Sequence, residues 1–165
     1  MPTIQGLIRP LMASPELLCG GPFGDRQVMV KVAKHVQLAY GFSMEAIFFE
    51  TSFFTATVSD YLSDDEYKEL QQELLKNPEC GDVMPRTGGF RKLRWGDRRR
   101  GKGKRGGLRV IYYWLSSDGQ MWMFAIYDKD ELENLTCDQE RALKQAITVE
   151  VEARKTKRSV KQRSK

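Results

Sequence analysis

Residues Gly88 to Leu115 read GGFRKLRWGDRRRGKGKRGGLRVIYYWL, and the rest of the chain is arranged around them. Two strand-like runs, Phe90 to Trp95 and Leu108 to Leu115, flank a loop dense in arginine, lysine and glycine. Apolar and aromatic β-formers on both sides of a glycine-rich connection predict a strand on each side of the loop. Between Arg86 and Arg109 stand Arg86, Arg91, Lys92, Arg94, Arg98, Arg99, Arg100, Lys102, Lys104, Arg105 and Arg109, eleven cations against one anion, Asp97. A field of that sign concentrates phosphate backbones. A solvated basic loop is the simpler explanation of a charge run. Here, however, the cations continue into the strands: Lys92 and Arg94 share one face by the two-residue period, and Arg109 enters the next strand.

Outward from this stretch the elements follow in a plain order. Downstream, Gln120 to Tyr127 is a third strand, joined to the second by the tight-turn signal SSDG at Ser116 to Gly119. Both of these strands are apolar nearly throughout, as central strands are. Thr136 and Gln139 form a capping box that starts a helix through Ala142, Leu143, Ala146 and Ile147 to Val149 or Val151. The tail at 154–165 carries Arg154, Lys155, Lys157, Arg158, Lys161, Arg163 and Lys165 and no acid, so a frayed helix end followed by disorder is expected. Upstream, AIFFE at Ala46 to Glu50 is a short strand, and Phe53, Phe54, Thr57, Val58, Tyr61 and Leu62 recur at helical spacing. Ser63 with Glu66 caps a second helix whose face carries Tyr67, Leu70, Leu74 and Leu75, and Asn77 with Pro78 ends it. The order β-α-α-β-β-β-α predicts an α+β fold, a small, mostly antiparallel sheet with a helical hairpin on one face. The other face is left free for the basic strand residues.

Residues 1–43 scatter Pro2, Pro10, Pro15 and Pro22 among Gly6, Gly20, Gly21 and Gly24, with only Val28 to Tyr40 able to form a helix or a strand. The expected organisation is an N-terminal extension over 1–43, a domain over 44–153 and a basic tail over 154–165. Two readings of the extension are expected, an upstream addition with Met44 as the native start, or a small structured arm that packs on the domain.

Composition narrows the function classes. Net charge of +5 and a pI near 9.1 favour acidic partners. From Glu45 to Asp82 there are ten acids against Lys68 and Lys76, so one half of the domain repels nucleic acid while the other attracts it. In that half, Asp64, Asp65 and Glu66 are helix N-terminal charges that suit the dipole. Cys19, Cys80 and Cys137 lie far apart with no CxxC spacing, and His35 is the single histidine. A disulfide framework, a zinc site, Ser-His or Cys-His nucleophilic catalysis and a paired-histidine ribonuclease are all disfavoured. No apolar run reaches membrane-spanning length and no signal peptide is visible, so a cytoplasmic protein without a membrane partner is expected. GKGKRGG matches neither phosphate-cradling glycine pattern and reads as a mobile loop.

The segments YLSDDEYKELQQELLKNPECGDVMPRTGGFRKLRW, GKGKRGGLRVIYYWL and IYDKDELENLT together resemble the RelE superfamily of toxins from bacterial type II toxin-antitoxin systems, and within it the HigB-like branch. The resemblance covers roughly two thirds of the chain, Met44 to about Ile147. It implies a RelE-like microbial RNase fold and a ribosome-dependent endoribonuclease, an mRNA interferase that cuts messenger RNA in the ribosomal A site by 2′-hydroxyl attack, with no metal and no cofactor. It also implies as partners the messenger, the ribosome with its 16S rRNA, and a cognate antitoxin, a small helix-turn-helix protein. Carried over residue by residue, Lys92 and Arg94 take the places of the family's basic pair, Arg109 that of the arginine opening the next strand, and Tyr127 and Lys129 those of the YxK turn. Adjacent cations would push Lys92 toward its neutral form as a general base, while Arg109 binds phosphate through its fork of donors. Arg91, Arg98, Arg99, Arg100, Lys102, Lys104 and Arg105 are the expected contacts to RNA or ribosome. Asp128 departs from the pattern, and a carboxylate there is expected to pair with Lys129. Two competing expectations remain: a non-catalytic RNA- or ribosome-binding module with Tyr112, Tyr113 and Trp114 as stacking platform, and an inactive toxin-like partner of an antitoxin. Tyr127 has a plain structural alternative as the end of a core strand, and Lys129 as an exposed turn lysine.

Overall fold

The computed structural model describes residues 29–32, 36–37, 43–44, 46–131 and 135–163, those before 46 and after 152 by backbone alone. Strands β1 (Met29–Val32), β2 (Val36–Gln37), β3 (Ser43–Met44) and β4 (Ile47–Glu50) precede the helical hairpin of α1 (Ser52–Tyr61) and α2 (Asp64–Lys76). Then come β5 (Asp82–Val83), β6 (Arg91–Trp95), β7 (Leu108–Leu115), β8 (Gln120–Asp128) and α3 (Cys137–Arg163). Six strands form one sheet in the order β1-β4-β8-β7-β6-β5. Only the β4-β8 pair is parallel, so the sheet is mixed and mostly antiparallel within an α+β architecture, as expected from the sequence.

Each helix boundary has a local cause. Ser63 Oγ accepts the Glu66 amide at 3.3 Å while the Glu66 carboxylate accepts the Ser63 amide at 2.9 Å, the reciprocal box that starts α2. Thr136 and Gln139 repeat it before α3, at 3.3 and 2.9 Å. Between β7 and β8 the chain reverses through a short 3-10 turn at Ser116–Asp118, and Gly119 follows with φ of 60°, a conformation that glycine adopts without steric cost.

The sheet has two buried faces, each with its own cluster. Leu93, Leu108, Val110, Tyr112, Met121, Met123 and Ile126 face the hairpin residues Phe54, Val58, Tyr67, Leu70 and Leu74. Phe90, Ile111, Phe124, Ala125 and Tyr127 face Phe53, Leu143 and Ile147. The second face is therefore not left wholly free, because the apolar stripe of α3 also needs covering. A bulge lets β8 serve both faces: Ile111 pairs with Ala125 but Tyr112 with Met123, leaving Phe124 as the extra residue. Thr51 fills the gap, donating its hydroxyl to the Phe124 carbonyl at 2.7 Å and its amide to the Met123 carbonyl at 3.1 Å. A fully buried carboxylate under the hairpin, Glu50, accepts from Tyr67 at 2.8 Å and Thr55 at 2.9 Å.

In the expected N-terminal extension, where Val28 to Tyr40 could form a helix or a strand, Met29–Val32 is a strand: β1 pairs antiparallel with β4 from Met29↔Glu50 to Val32↔Ile47. Residues 1–28 of that extension lie outside the described residues. The basic tail is helical to Arg163 rather than ending near Val151, since lysine and arginine are good helix formers and no glycine or proline interrupts 137–163.

Candidate nucleic-acid interface

Register brings the predicted residues together. Arg94 pairs with Arg109, and Arg109 with Tyr127, so three adjacent strands place these side chains in one row across the sheet. Since Leu93 and Trp95 belong to the hairpin-side cluster and Tyr127 to the other, the row lies on the face of α3. Lys92, opposite Ile111, stands one step along the same face. Lys129 is exposed just past the end of β8, where its amide donates to the Gly107 carbonyl at 3.3 Å.

Arg109 is the centre of this row and only 8% exposed. Its guanidinium donates to three backbone carbonyls, those of Leu108 at 3.1 Å, Arg105 at 3.2 Å and Lys104 at 3.4 Å. Among the described residues no carboxylate comes within ion-pairing distance of it. A cation held by neutral oxygens is oriented without being neutralised, and that is the state required of a phosphate-binding charge. Beside it the Tyr127 phenol is 1% exposed, and burial pushes it up to about 12 while Arg109 pulls the other way. It is therefore neutral and able to donate at pH 7. Its ring also packs in the cluster with Phe90 and Ile111, so the core role foreseen for it is real as well.

The seven expected RNA contacts fall into two groups. Arg91 pairs with Glu79 at 2.8 Å, and Arg98 reaches across to α2, forking onto Glu69 at 2.5 and 3.1 Å. Arg99 lies 3.6 Å from Asp97 and over the Tyr61 ring, Arg100 engages Asp97 at 2.6 Å and Asp128, and Lys102 meets Asp130 at 2.6 Å. On β6 Arg94 has a looser partner, Asp82 at 3.7 Å. Lys92, Lys104, Arg105, Arg109 and Lys129 have no such partner among the described residues, and Lys104 sits 5.9 Å from the centre of the Trp95 ring. The uncompensated charge is thus narrower than the sequence suggests: Lys92 and Arg109 share the face of the row, while the Lys104 ammonium lies over Trp95 on the hairpin side.

Two expectations about neighbours are corrected. Asp128 does not pair with Lys129: alternation turns it to the hairpin side of the sheet, opposite Leu108, where Arg100 takes its carboxylate. Tyr112, Tyr113 and Trp114 do not form an open stacking platform. Tyr112 is fully buried, donating to the Pro78 carbonyl at 2.9 Å and accepting the Gly81 amide at 3.0 Å, while Tyr113 packs edge-on against Phe90 on the other face. The residues that shape the interface without announcing themselves are Asp97, Asp128 and Asp130. Asp97 shows in the sequence as the lone anion inside the basic stretch and Asp128 as a carboxylate expected beside Lys129, but neither sign gives the actual partner. Among the described residues no helix is long and apolar enough to cross a membrane. No protein-family model matches the chain.

Proposed function

We propose that the protein is a ribosome-dependent endoribonuclease of the RelE-like, HigB-like kind, a cytoplasmic toxin neutralised by a cognate antitoxin that covers the Arg109 row. The observation that carries this reading is the row itself: a buried, uncompensated guanidinium beside a neutral phenol, flanked by Arg94 and Lys92. Cleavage by a ribose 2′-hydroxyl needs a proton acceptor, positive charge on the phosphate and a proton for the departing 5′-oxygen. In this scheme the Lys92 amine takes the 2′-hydroxyl proton as the oxygen bonds to phosphorus. Arg109, with Arg94, holds the phosphate as it gains charge. The bond from phosphorus to the 5′-oxygen breaks, and Tyr127 supplies the proton that makes the 5′-hydroxyl, leaving a 2′,3′-cyclic phosphate. Lys129, Lys104 and Arg105 bind the flanking backbone of the messenger or the ribosomal RNA.

Purified protein added to translating ribosomes tests this directly. The expected product is messenger cut within the ribosome, with 2′,3′-cyclic phosphate ends. Efficient cutting of naked RNA, or a metal requirement in the chemical step beyond what the ribosome itself needs, would overturn it. Binding to ribosomes with no cut under any condition would favour the non-catalytic module.

A further inference from the structure

The cationic loop has an internal fastening that neither its charge nor RNA binding calls for. Asp97 is fully buried at the start of the loop. Its amide donates to the Lys102 carbonyl at 2.8 Å, and the Lys102 amide returns a bond to the Asp97 carbonyl at 2.9 Å. The Asp97 carboxylate accepts Arg100 twice, from the backbone amide at 3.3 Å and from Nε at 2.6 Å. The other end of the same guanidinium meets Asp128, itself buried at the end of β8, and Lys102 anchors to Asp130 in the following turn. Arg100 therefore ties the loop to the strand next to β7. Beyond the tie the loop closes tightly: a Cβ on Gly107 would run into the Trp95 carbonyl oxygen. The segment so confined presents the Lys104 and Arg105 carbonyls to Arg109.

We infer that Arg100 is a positioning residue, a clasp between Asp97 and Asp128 that fixes the loop carbonyls holding the Arg109 guanidinium. Its consequence for cleavage rests on the function proposed above, but the placement of Arg109 does not. A guanidinium already shared by two carboxylates has little charge left for a phosphate and releases no counterion on binding RNA. Lysine cannot replace it, because one ammonium does not span both carboxylates in the planar geometry of the fork.

The full-length protein is compared with Arg100→Ala, Arg100→Lys and Lys104→Ala. Asp128→Asn loosens the same clasp from its other end while keeping the side-chain shape, and it stands in should Arg100→Ala not fold. Nitrogen-15 NMR reads the Arg109 side-chain N–H signals, identified by their loss in Arg109→Lys. Single-turnover cleavage at saturating ribosomes and the salt dependence of RNA binding are read in parallel. Loosening the clasp is expected to broaden the Arg109 signals and slow cleavage about tenfold, without rescue by lysine and with an unchanged salt slope. Lys104→Ala is expected to weaken binding and to lower the salt slope by about 0.7 to 0.9, one phosphate contact. Unchanged Arg109 signals in the folded clasp variants, or a salt slope reduced by Arg100→Ala, overturns the inference. Should the wild-type protein fail to cut on ribosomes, the proposed function falls while the Arg109 signals still decide the clasp.

Discussion

The Arg109 guanidinium, in a residue only 8% exposed, is held by three carbonyl oxygens and by no carboxylate among the described residues, so it keeps its charge while losing its freedom to wander. Preorganised charge of this kind stabilises a transition state without reorganisation, and losing one such donor costs about 2.7 to 4 kcal/mol. Arg109→Ala is therefore expected to slow cleavage at saturating ribosomes about a hundredfold or more. Arg109→Lys should recover only part of the rate, since it restores charge but not the fork. Equal rates for wild type and Arg109→Ala would remove this residue from the chemistry. Tyr127→Phe separates the two roles of the phenol, because the ring stays packed against Phe90 and Ile111 while the proton donor is lost. General acid catalysis predicts a loss of about 100-fold or more with unfolding little changed, and a wild-type rate would reduce Tyr127 to a core residue. Sequence period could set Arg94 and Lys92 on one face, but only strand register could put Tyr127 opposite Arg109. The pairing of the other cations was illegible for a similar reason: Arg98 with Glu69 and Arg100 with Asp128 join elements distant in the chain, where charge counts alone say nothing about partners.

At the scale of elements, local chemistry was readable wherever it is written within a few residues. The two capping boxes, the stop at Asn77 and Pro78 and the turn before Gly119 all sit where the sequence puts them. Ser63→Ala removes the acceptor for the Glu66 amide at the start of α2, so a loss of about 1 kcal/mol in urea unfolding is expected. No change would mean that the hairpin packing, not the cap, fixes that end. Non-local pairing was harder to see. In β1 the sequence MVKV lacks an unambiguous period, and its place is fixed by β4, which would otherwise present an open edge. A chain starting at Met44 is accordingly expected to keep a cooperative unfolding transition, because among the described residues both clusters are built from side chains beyond it. It should also self-associate more readily through the bared edge of β4. Sedimentation and urea titration of the two lengths check this, and loss of cooperativity would make β1 an integral part of the fold.

Across the whole molecule, acidic and basic groups are set against each other in a way that fixes how stability follows pH. Burial raises Asp97, but the side-chain and backbone bonds from Arg100 outweigh it and hold the carboxyl below its ordinary value of 3.8. The Ser63 bonds lower Glu66 and Lys102 lowers Asp130. The unfolded chain therefore takes up protons before the folded one does, so these groups contribute fully above about pH 4.5 and their contribution is lost as pH falls through the depressed folded values. At the alkaline end the sign is opposite. Burial raises Tyr61, Tyr67, Tyr112 and Tyr127, the last from 10.0 to about 12, so the unfolded chain ionises first and stability falls as pH rises past 10. The urea midpoint should thus form a plateau between roughly pH 5 and 9.5 with a loss on each side. Asp97→Asn is expected to flatten the acid limb and Tyr127→Phe the alkaline one, each leaving the other limb in place. A plateau that both variants merely lower, with neither limb changed in slope, would show that these groups have the same affinity for protons in the folded and unfolded chain, and that the clasp around Arg100 does not hold Asp97 as an ion.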